Sequence, residues 1–167
     1  GGLIMVEGLH ALNDSLTYML PRYEKFKISL GVLTQIRIND HNRISTADTR
    51  IIRRMIRDSR FRSRGPETTL KEWENVRHGE ETNIYPYQED ADVIFNTALP
   101  YELSVMKPYA EALLDSVSSG SRYYSEARRL QSFMRPFTPL SQEAVPYMSI
   151  LREFIGPWEE SRPQGMY

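Results

Sequence analysis

The residues best suited to bind a charged ligand form one block of arginines. Residues 37–64 contain nine arginines and no lysine. They are Arg37, Arg43, Arg50, Arg53, Arg54, Arg57, Arg60, Arg62 and Arg64. The guanidinium group is planar and forked, so arginine without lysine favours paired hydrogen bonds to phosphate or carboxylate groups. The block therefore indicates a surface that binds anions.

Helical spacing predicts how these arginines are arranged. Four of them are separated by steps of four, three and seven residues, which would place them on one stripe of a helix. The stripe consists of Arg50, Arg54, Arg57 and Arg64, with Arg53 and Arg60 beside it. Four guanidinium groups repel one another unless anions lie between them, and a triphosphate would satisfy several together. The alternative is that they pair with residues 65–92, which hold eight acidic residues against Lys71 and Arg77.

Glu7 is a candidate ligand for a metal ion. It follows the apolar run at residues 3–6 and precedes Gly8. Such a run is typical of a strand covered on both faces, and ligands of parallel sheets bind beyond the carboxyl ends of the strands. A carboxylate there would hold Mg²⁺ directly or through water. The alternative is an acid that faces solvent. Asp92 lies at the start of a predicted strand and is interpreted as structural.

The elements that would position these residues alternate between strands and helices, which predicts an α/β fold with a parallel sheet. Strands are expected at 3–6, 26–30 and 91–95, a short helix or turn at 12–22, and helices at 45–60, 68–77, 101–117, 122–134 and 149–155. Ser45 and Asp48 have capping-box spacing, although glutamate or glutamine is usual at the second place. Gly79 is expected to end the second of these longer helices, Pro108 to kink or interrupt the third, and Gly156-Pro157 to stop the last.

Composition excludes several classes of protein. The 167 residues suit one compact domain, and the absence of cysteine excludes disulfides and thiol catalysis. No apolar run approaches the roughly 20 residues of a membrane helix, and no signal peptide is visible, so a cytoplasmic protein without a membrane partner is expected. The first residue is Gly rather than Met, which suggests that the sequence starts within a longer protein.

Several motifs resemble one family. They are LIMVEG at 3–8, ADTRIIRRMIRD at 47–58, RG at 64–65 and ADVIF at 91–95. Their order and spacing resemble the C-terminal part of the uridine kinase and phosphoribulokinase family of P-loop kinases, over about residues 1–115. HNRIS at 41–45, GEETNI at 79–84 and SILREFIG at 149–156 resemble a bacterial subgroup. In that subgroup the kinase domain follows a region similar to threonyl-tRNA synthetase.

The resemblance implies roles for individual residues. Glu7 matches the acid that helps to bind Mg²⁺. Arg54, Arg57 and Arg64 match arginines of a lid, at about 45–90, that closes over the phosphates and the nucleoside. Arg57 and Arg64 are implied as catalytic, Arg54 as substrate-binding, and Arg50, Arg54, Arg57 and Arg60 as phosphate-binding. Glu72 or Trp73 lies near a nucleoside-contacting position. Pro66 stands where the family often has another arginine, a contact that Arg60 or Arg62 would replace.

The sequence also departs from the family. No G-x-x-x-x-G-K-[ST] motif occurs in these residues, and the upstream catalytic carboxylate is missing too. The expectation is a partial kinase domain at 1–117 and a helical C-terminal extension at 118–167. It would belong to an ATP- and Mg²⁺-dependent uridine or cytidine kinase and be inactive alone. Its expected partners are the nucleotide and nucleoside substrates, with a homo-oligomer as a further candidate. The alternatives are an RNA-associated module and a structural domain derived from the kinase fold.

Overall fold

The structure is a computed structural model that describes residues 2–34 and 43–157. Arg37 of the arginine block and His41 and Asn42 of the HNRIS motif lie outside the described residues. The chain divides into two compact units. The first contains Gly1–Gly31 and Glu74–Thr97, and the second contains Val32–Trp73 and Ala98–Tyr167. Each unit is described by itself. Both helices and a parallel sheet are present, so the fold is mixed α/β as predicted.

The first unit contains a two-stranded parallel sheet. Strand β1 (Ile28–Gly31) pairs with strand β2 (Val93–Asn96), and Ile28 lies opposite Val93. Both strands were predicted, with bounds shifted by one or two residues. Asp92 lies directly before β2, where its carboxylate accepts hydrogen bonds from the Lys27 backbone N–H at 2.7 Å and from Arg22 at 2.5 Å. This carboxylate therefore secures the start of the sheet, which confirms its structural interpretation.

The apolar run at residues 3–6 does not form the predicted strand. Its four side chains are 65–93% exposed. A strand needs a neighbour to satisfy its backbone hydrogen bonds, and within the described residues the sheet consists of β1 and β2 alone. Further along, a 3₁₀ turn at Asp14–Leu16 lies within the short helix or turn expected at 12–22, and a second 3₁₀ turn at Arg22–Glu24 follows it.

The second unit is built around helix α1 (Thr46–Arg62). Ser45 caps it as predicted, because its hydroxyl oxygen accepts a hydrogen bond from the Asp48 N–H at 3.2 Å. The Asp48 carboxylate binds Arg129 at 2.6 and 2.9 Å. The apolar face of α1 is fully buried in a core that it shares with the later helices of this unit. That face consists of Ile51, Ile52, Met55 and Ile56.

Helix α1 ends at a left-handed residue, which changes the predicted stripe. Ser63 has a φ of 52° and ψ of 37°, and the backbone N–H groups of Ser63 and Arg64 both donate to the Asp58 carbonyl. Arg64 therefore lies in a turn and not on the helical stripe. Helix α2 (Pro66–Asn83) follows at once and continues past Gly79, contrary to prediction. A glycine inside a helix lowers the stability of the helix by only about 1 kcal/mol relative to alanine. The helical turns on either side of Gly79 offset that loss.

Helix α3 (Glu102–Asp115) runs through Pro108 without the predicted interruption. Proline has no N–H to donate to the carbonyl four residues earlier, which belongs to Ser104. The Leu140 N–H donates to this carbonyl at 3.1 Å instead. A connection from another part of the unit thus satisfies the acceptor that proline leaves open.

Helices α4 (Tyr124–Met134) and α5 (Arg152–Ile155) complete the second unit. Both contribute to its core, α4 through Ala127, Leu130 and Met134. Gly156, with a φ of 83°, ends α5 as predicted. The proposed domain boundary at 117 stays a prediction. Among the described helices, none is long and apolar enough to cross a membrane.

Candidate anion-binding site

Two arginines of the block converge on one carboxylate oxygen. The Arg64 guanidinium donates to Glu72 Oε2 at 2.8 Å, and an Arg54 guanidinium nitrogen lies 3.4 Å from the same oxygen. Arg54 is supplied by α1, Arg64 by the turn after it and Glu72 by the second turn of α2. The side chains of Arg64 and Glu72 are 42% and 37% exposed. The structure therefore holds two cations around an anion that solvent reaches.

Asp58 fixes the geometry of this group. Its side chain is fully buried, and it pairs with Arg54 at 3.3 Å and with Arg62 at 2.9 Å, one turn of helix away on either side. The Thr69 hydroxyl of α2 donates to the same carboxylate at 3.3 Å. Burial of a carboxylate is unfavourable unless it is paired and hydrogen-bonded, and these contacts supply such partners. Asp58 thus ties the end of α1 to the start of α2 and holds Arg54 in place.

Arg57 forms its ion pair with a different carboxylate. Its guanidinium donates to Glu153 at 2.7 Å and lies 5.8 Å from the centre of the Phe154 ring. Both partners belong to α5, and the Arg57 side chain is 30% exposed. Arg57 and Arg54 therefore do not share a counter-ion, although the sequence spacing places them on the same face.

Arg60 lies in a third environment. Its guanidinium carbon is 5.4 Å from the centre of the Tyr109 ring. A Cβ atom on Gly156 would lie 2.8 Å from its terminal nitrogen, so the Arg60 guanidinium packs directly against the Gly156 backbone. Arg50, earlier on α1, is partly buried. The six candidate arginines thus separate into several surroundings.

Arg53 is part of the buried structure of the unit. It is 5% exposed, and its Nε donates at 2.8 Å to Glu102, which is 1% exposed. A second nitrogen of Arg53 contacts the same carboxylate oxygen. Burial raises the pKa of Glu102, and the charge of Arg53 opposes that rise. Arg53 was expected beside the stripe, and the structure places it against the core.

The charge around the turn after α1 is positive. Arg54, Arg57, Arg62 and Arg64 pair with the carboxylates of Asp58, Glu72 and Glu153. Arg60, on the same helix, contacts Tyr109 and Gly156. Five guanidinium groups against three carboxylates leave a net charge of +2. The surface consequently retains the capacity to attract an anion after its internal ion pairs have formed.

The arginine block is paired in part with the acidic segment that follows it. Glu72 belongs to the acidic segment at 65–92, so the expected pairing with that segment occurs at Arg54 and Arg64. The partners of Arg53 and Arg57 come from α3 and α5. Trp73, named with Glu72 as a nucleoside contact, packs partly against the core of the second unit. Its role in binding stays a prediction.

Glu7 belongs to the other unit and stands in an exposed, irregular segment. The strand that would have placed its carboxylate at a sheet edge is not formed. Within residues 2–34 and 43–157, no group of three or more histidine, aspartate or glutamate side chains is assembled to hold a metal ion. The role of Glu7 as a Mg²⁺ ligand stays a prediction.

Sequence reasoning missed four residues that shape the site. They are Asp58, Glu102, Glu153 and Phe154. A signal for Asp58 exists, because arginines lie four residues before and after it, at ion-pair spacing on a helix. The other three reach α1 through tertiary packing and carry no local signal.

Comparison with protein-family models, with curated proteins and with solved structures finds no match for the chain.

Proposed function

We propose that this chain is part of an ATP-dependent nucleoside kinase that transfers the γ-phosphate to the 5′-hydroxyl of uridine or cytidine. Its arginine surface binds the phosphate groups. The observation that carries the proposal is the convergence of Arg54 and Arg64 on Glu72 Oε2, at 3.4 and 2.8 Å. A phosphate oxygen resembles this carboxylate oxygen as a charged acceptor, so the pair of guanidinium groups is arranged for an oxyanion.

The surroundings of the pair support anion binding. Asp58 restrains Arg54 before a ligand arrives, which lowers the entropy lost on binding. The net charge of +2 attracts the ligand, and each charge-assisted hydrogen bond contributes roughly 1.5–3 kcal/mol. In a phosphotransferase, arginines in this position neutralise the charge that spreads over the transferred group.

The chain holds only part of the required machinery. Its 167 residues contain no phosphate-binding loop with its lysine. We therefore propose that the chain alone does not phosphorylate a nucleoside, and that ATP and Mg²⁺ are bound by the complete kinase. ATP-dependent phosphorylation of uridine by the purified chain, above a mock purification, would contradict this.

Calorimetric titration of the chain with tripolyphosphate tests the binding function. Arg54→Ala and Arg64→Ala should each weaken binding by about 10-fold or more, because each removes a charge-assisted contact. Arg77→Ala is the matched control, since Arg77 is an exposed arginine of the first unit whose guanidinium pairs with Glu81 at 3.3 Å. Equal affinities for all three variants would reject the site.

A second candidate function, RNA binding, is favoured by the surface of α4. Arg122 lies 5.2 Å from the Tyr123 ring and Arg128 lies 6.0 Å from the Tyr124 ring. Both rings are partly exposed, and arginine beside an accessible aromatic ring suits the phosphates and bases of single-stranded RNA. A steep fall of RNA affinity with salt, reduced by Arg128→Ala, would support this candidate.

A further inference from the structure

Glu72 has an unusual relationship to the anion site, because it fills the site itself. One of its carboxylate oxygens, Oε2, accepts from Arg54 and from Arg64. The side chain is 37% exposed, so solvent and solutes reach the group. A ligand oxyanion would compete for the same two guanidinium groups.

We propose that Glu72 is an internal competitor that keeps weak anions out of this site and admits polyphosphates. This inference rests on the proposed function, and it assigns a regulatory role to a residue that the family resemblance would place against the nucleoside. An anion binds when the Glu72 carboxylate withdraws and leaves Arg54 and Arg64 free to donate to it.

The competition follows from tethering. A carboxylate on a short side chain is present at a high effective concentration beside its partners. A ligand that binds only the withdrawn state loses affinity in proportion to the fraction of that state. If Glu72 is withdrawn about a tenth of the time, every anion binds about 10-fold more weakly. A monoanion then falls below its useful range, whereas a polyphosphate retains enough contacts to bind.

The structure allows the withdrawal without unfolding. Thr69 and Leu70, one turn earlier in α2, are buried, and the Thr69 hydroxyl is bound to Asp58. The backbone beneath Glu72 is thereby held in place. Rotation of the Glu72 side chain into solvent is sufficient, and Asp58 remains to restrain Arg54 in the open state.

Withdrawal of Glu72 also raises the positive charge at the site, which favours binding of the ligand. With Glu72 in place, the five arginines and three carboxylates give a net charge of +2. When its carboxylate leaves the two guanidinium groups, the charge that a ligand meets between them rises by one unit. A ligand with several negative charges gains most from that change.

The experiment compares Glu72→Gln with Glu74→Gln by calorimetric titration at fixed ionic strength. Both variants remove one negative charge from α2, but Glu74 is an exposed residue at the start of the other unit's share of the helix. The probes are tripolyphosphate and inorganic phosphate. Thermal unfolding of each variant confirms that it is folded, and Glu72→Asp, whose carboxylate is retracted by one methylene, gives a second graded variant.

Glu72→Gln should bind both probes about 10-fold more tightly than the wild type, and inorganic phosphate should become measurable. Glu72→Asp should tighten binding to a smaller extent, and Glu74→Gln should resemble the wild type. If the wild type binds tripolyphosphate through Arg54 and Arg64 but Glu72→Gln binds no more tightly than Glu74→Gln, this inference is overturned and the proposed function stands. If no variant binds tripolyphosphate, the binding function itself fails.

Discussion

Arg53 donates a hydrogen bond to Glu102 at 2.8 Å, although the two residues are 49 positions apart and both are almost completely buried. The pair joins α1 to α3 inside the second unit. One arginine of a block whose composition indicates ligand binding is therefore committed to the fold. The neighbouring Arg54, by contrast, lies at the solvent-accessible group with Arg64 and Glu72.

Arg53→Ala is expected to lower the free energy of unfolding of the second unit by about 3–5 kcal/mol. The reason is that removing one member of a buried ion pair leaves the other charge buried without compensation. Urea unfolding followed by circular dichroism measures the change. Arg128→Ala is a suitable comparison, since Arg128 is exposed and its guanidinium lies 6.0 Å from the Tyr124 ring, a contact whose loss should cost no more than about 1 kcal/mol.

The double variant Arg53→Met with Glu102→Leu tests the cause. It replaces both charges by apolar groups, so it should be more stable than Arg53→Ala by about 1 kcal/mol or more. If Arg53→Ala unfolds at the same urea concentration as the wild type, the ion pair does not stabilise the fold.

Local signals predicted a good part of this architecture. Ser45 was identified as the cap of α1 because a hydroxyl before an apolar-periodic segment satisfies a free N–H of the first turn. Gly156 was identified as the end of α5 because a Gly-Pro pair breaks a helix, and Gly156 adopts a φ of 83° there. Such effects depend on a few neighbouring residues, so the sequence contains them in full.

The features that the sequence did not predict depend on partners that are distant in sequence. The run at 3–6 has the composition of a strand, but pairing requires a neighbouring strand. Pro108 remains inside α3 because Leu140, 32 residues later, supplies the missing donor to Ser104. The ion pairs of Arg53 and Arg57 reach Glu102 and Glu153 across the fold of the second unit. Spacing along one helix carries no information about those acids.

The Asp92 carboxylate makes the stability of the first unit depend on pH. Its hydrogen bond with Arg22, followed by that with the Lys27 N–H, lowers its pKa below the ordinary value of 3.8. A lowered pKa means that the folded state binds this proton more weakly than the unfolded state does. The stabilisation is therefore present above about pH 3.8 and is lost as the pH falls through the lowered pKa.

Asp92→Asn tests this dependence. The variant should be less stable than the wild type at pH 6, and the difference should shrink as the pH falls below 3.8. Amide hydrogen exchange of β1 and β2 at several pH values reports on this unit. Asp90→Asn is the control, because the Arg22 contact to Asp90 uses its backbone carbonyl. A difference between wild type and Asp92→Asn that stays constant down to pH 2 would contradict the assignment.

Ser63 has a strained backbone conformation in the turn that positions Arg64. A residue with a side chain costs roughly 1–2 kcal/mol in the left-handed conformation, and Ser63 adopts it with a φ of 52°. Ser63→Gly should therefore raise the free energy of unfolding by about 0.5–1 kcal/mol, after the loss of backbone entropy that glycine brings. Urea unfolding gives the value. Ser59→Gly, inside α1, should have the opposite sign, and a loss of stability in both variants would reject the strain.

The exposed apolar side chains of the first unit predict self-association of the chain. Leu3, Ile4 and Met5 are 86–93% exposed, and the apolar side chains of β1 and β2 are open as well, with Leu30 at 68% and Phe95 at 59%. Open strand edges beside apolar surface invite pairing with a second copy. The sedimentation coefficient of the chain should therefore increase with concentration across the micromolar range.

Combined Ile4→Lys and Met5→Lys substitutions, or Leu30→Lys in β1, should reduce that increase, because a charge at the contact opposes burial. Met148→Lys changes an equally exposed methionine of the second unit and should leave the association unchanged. A wild-type chain that sediments as a monomer at every concentration would show that these surfaces do not bind a second copy.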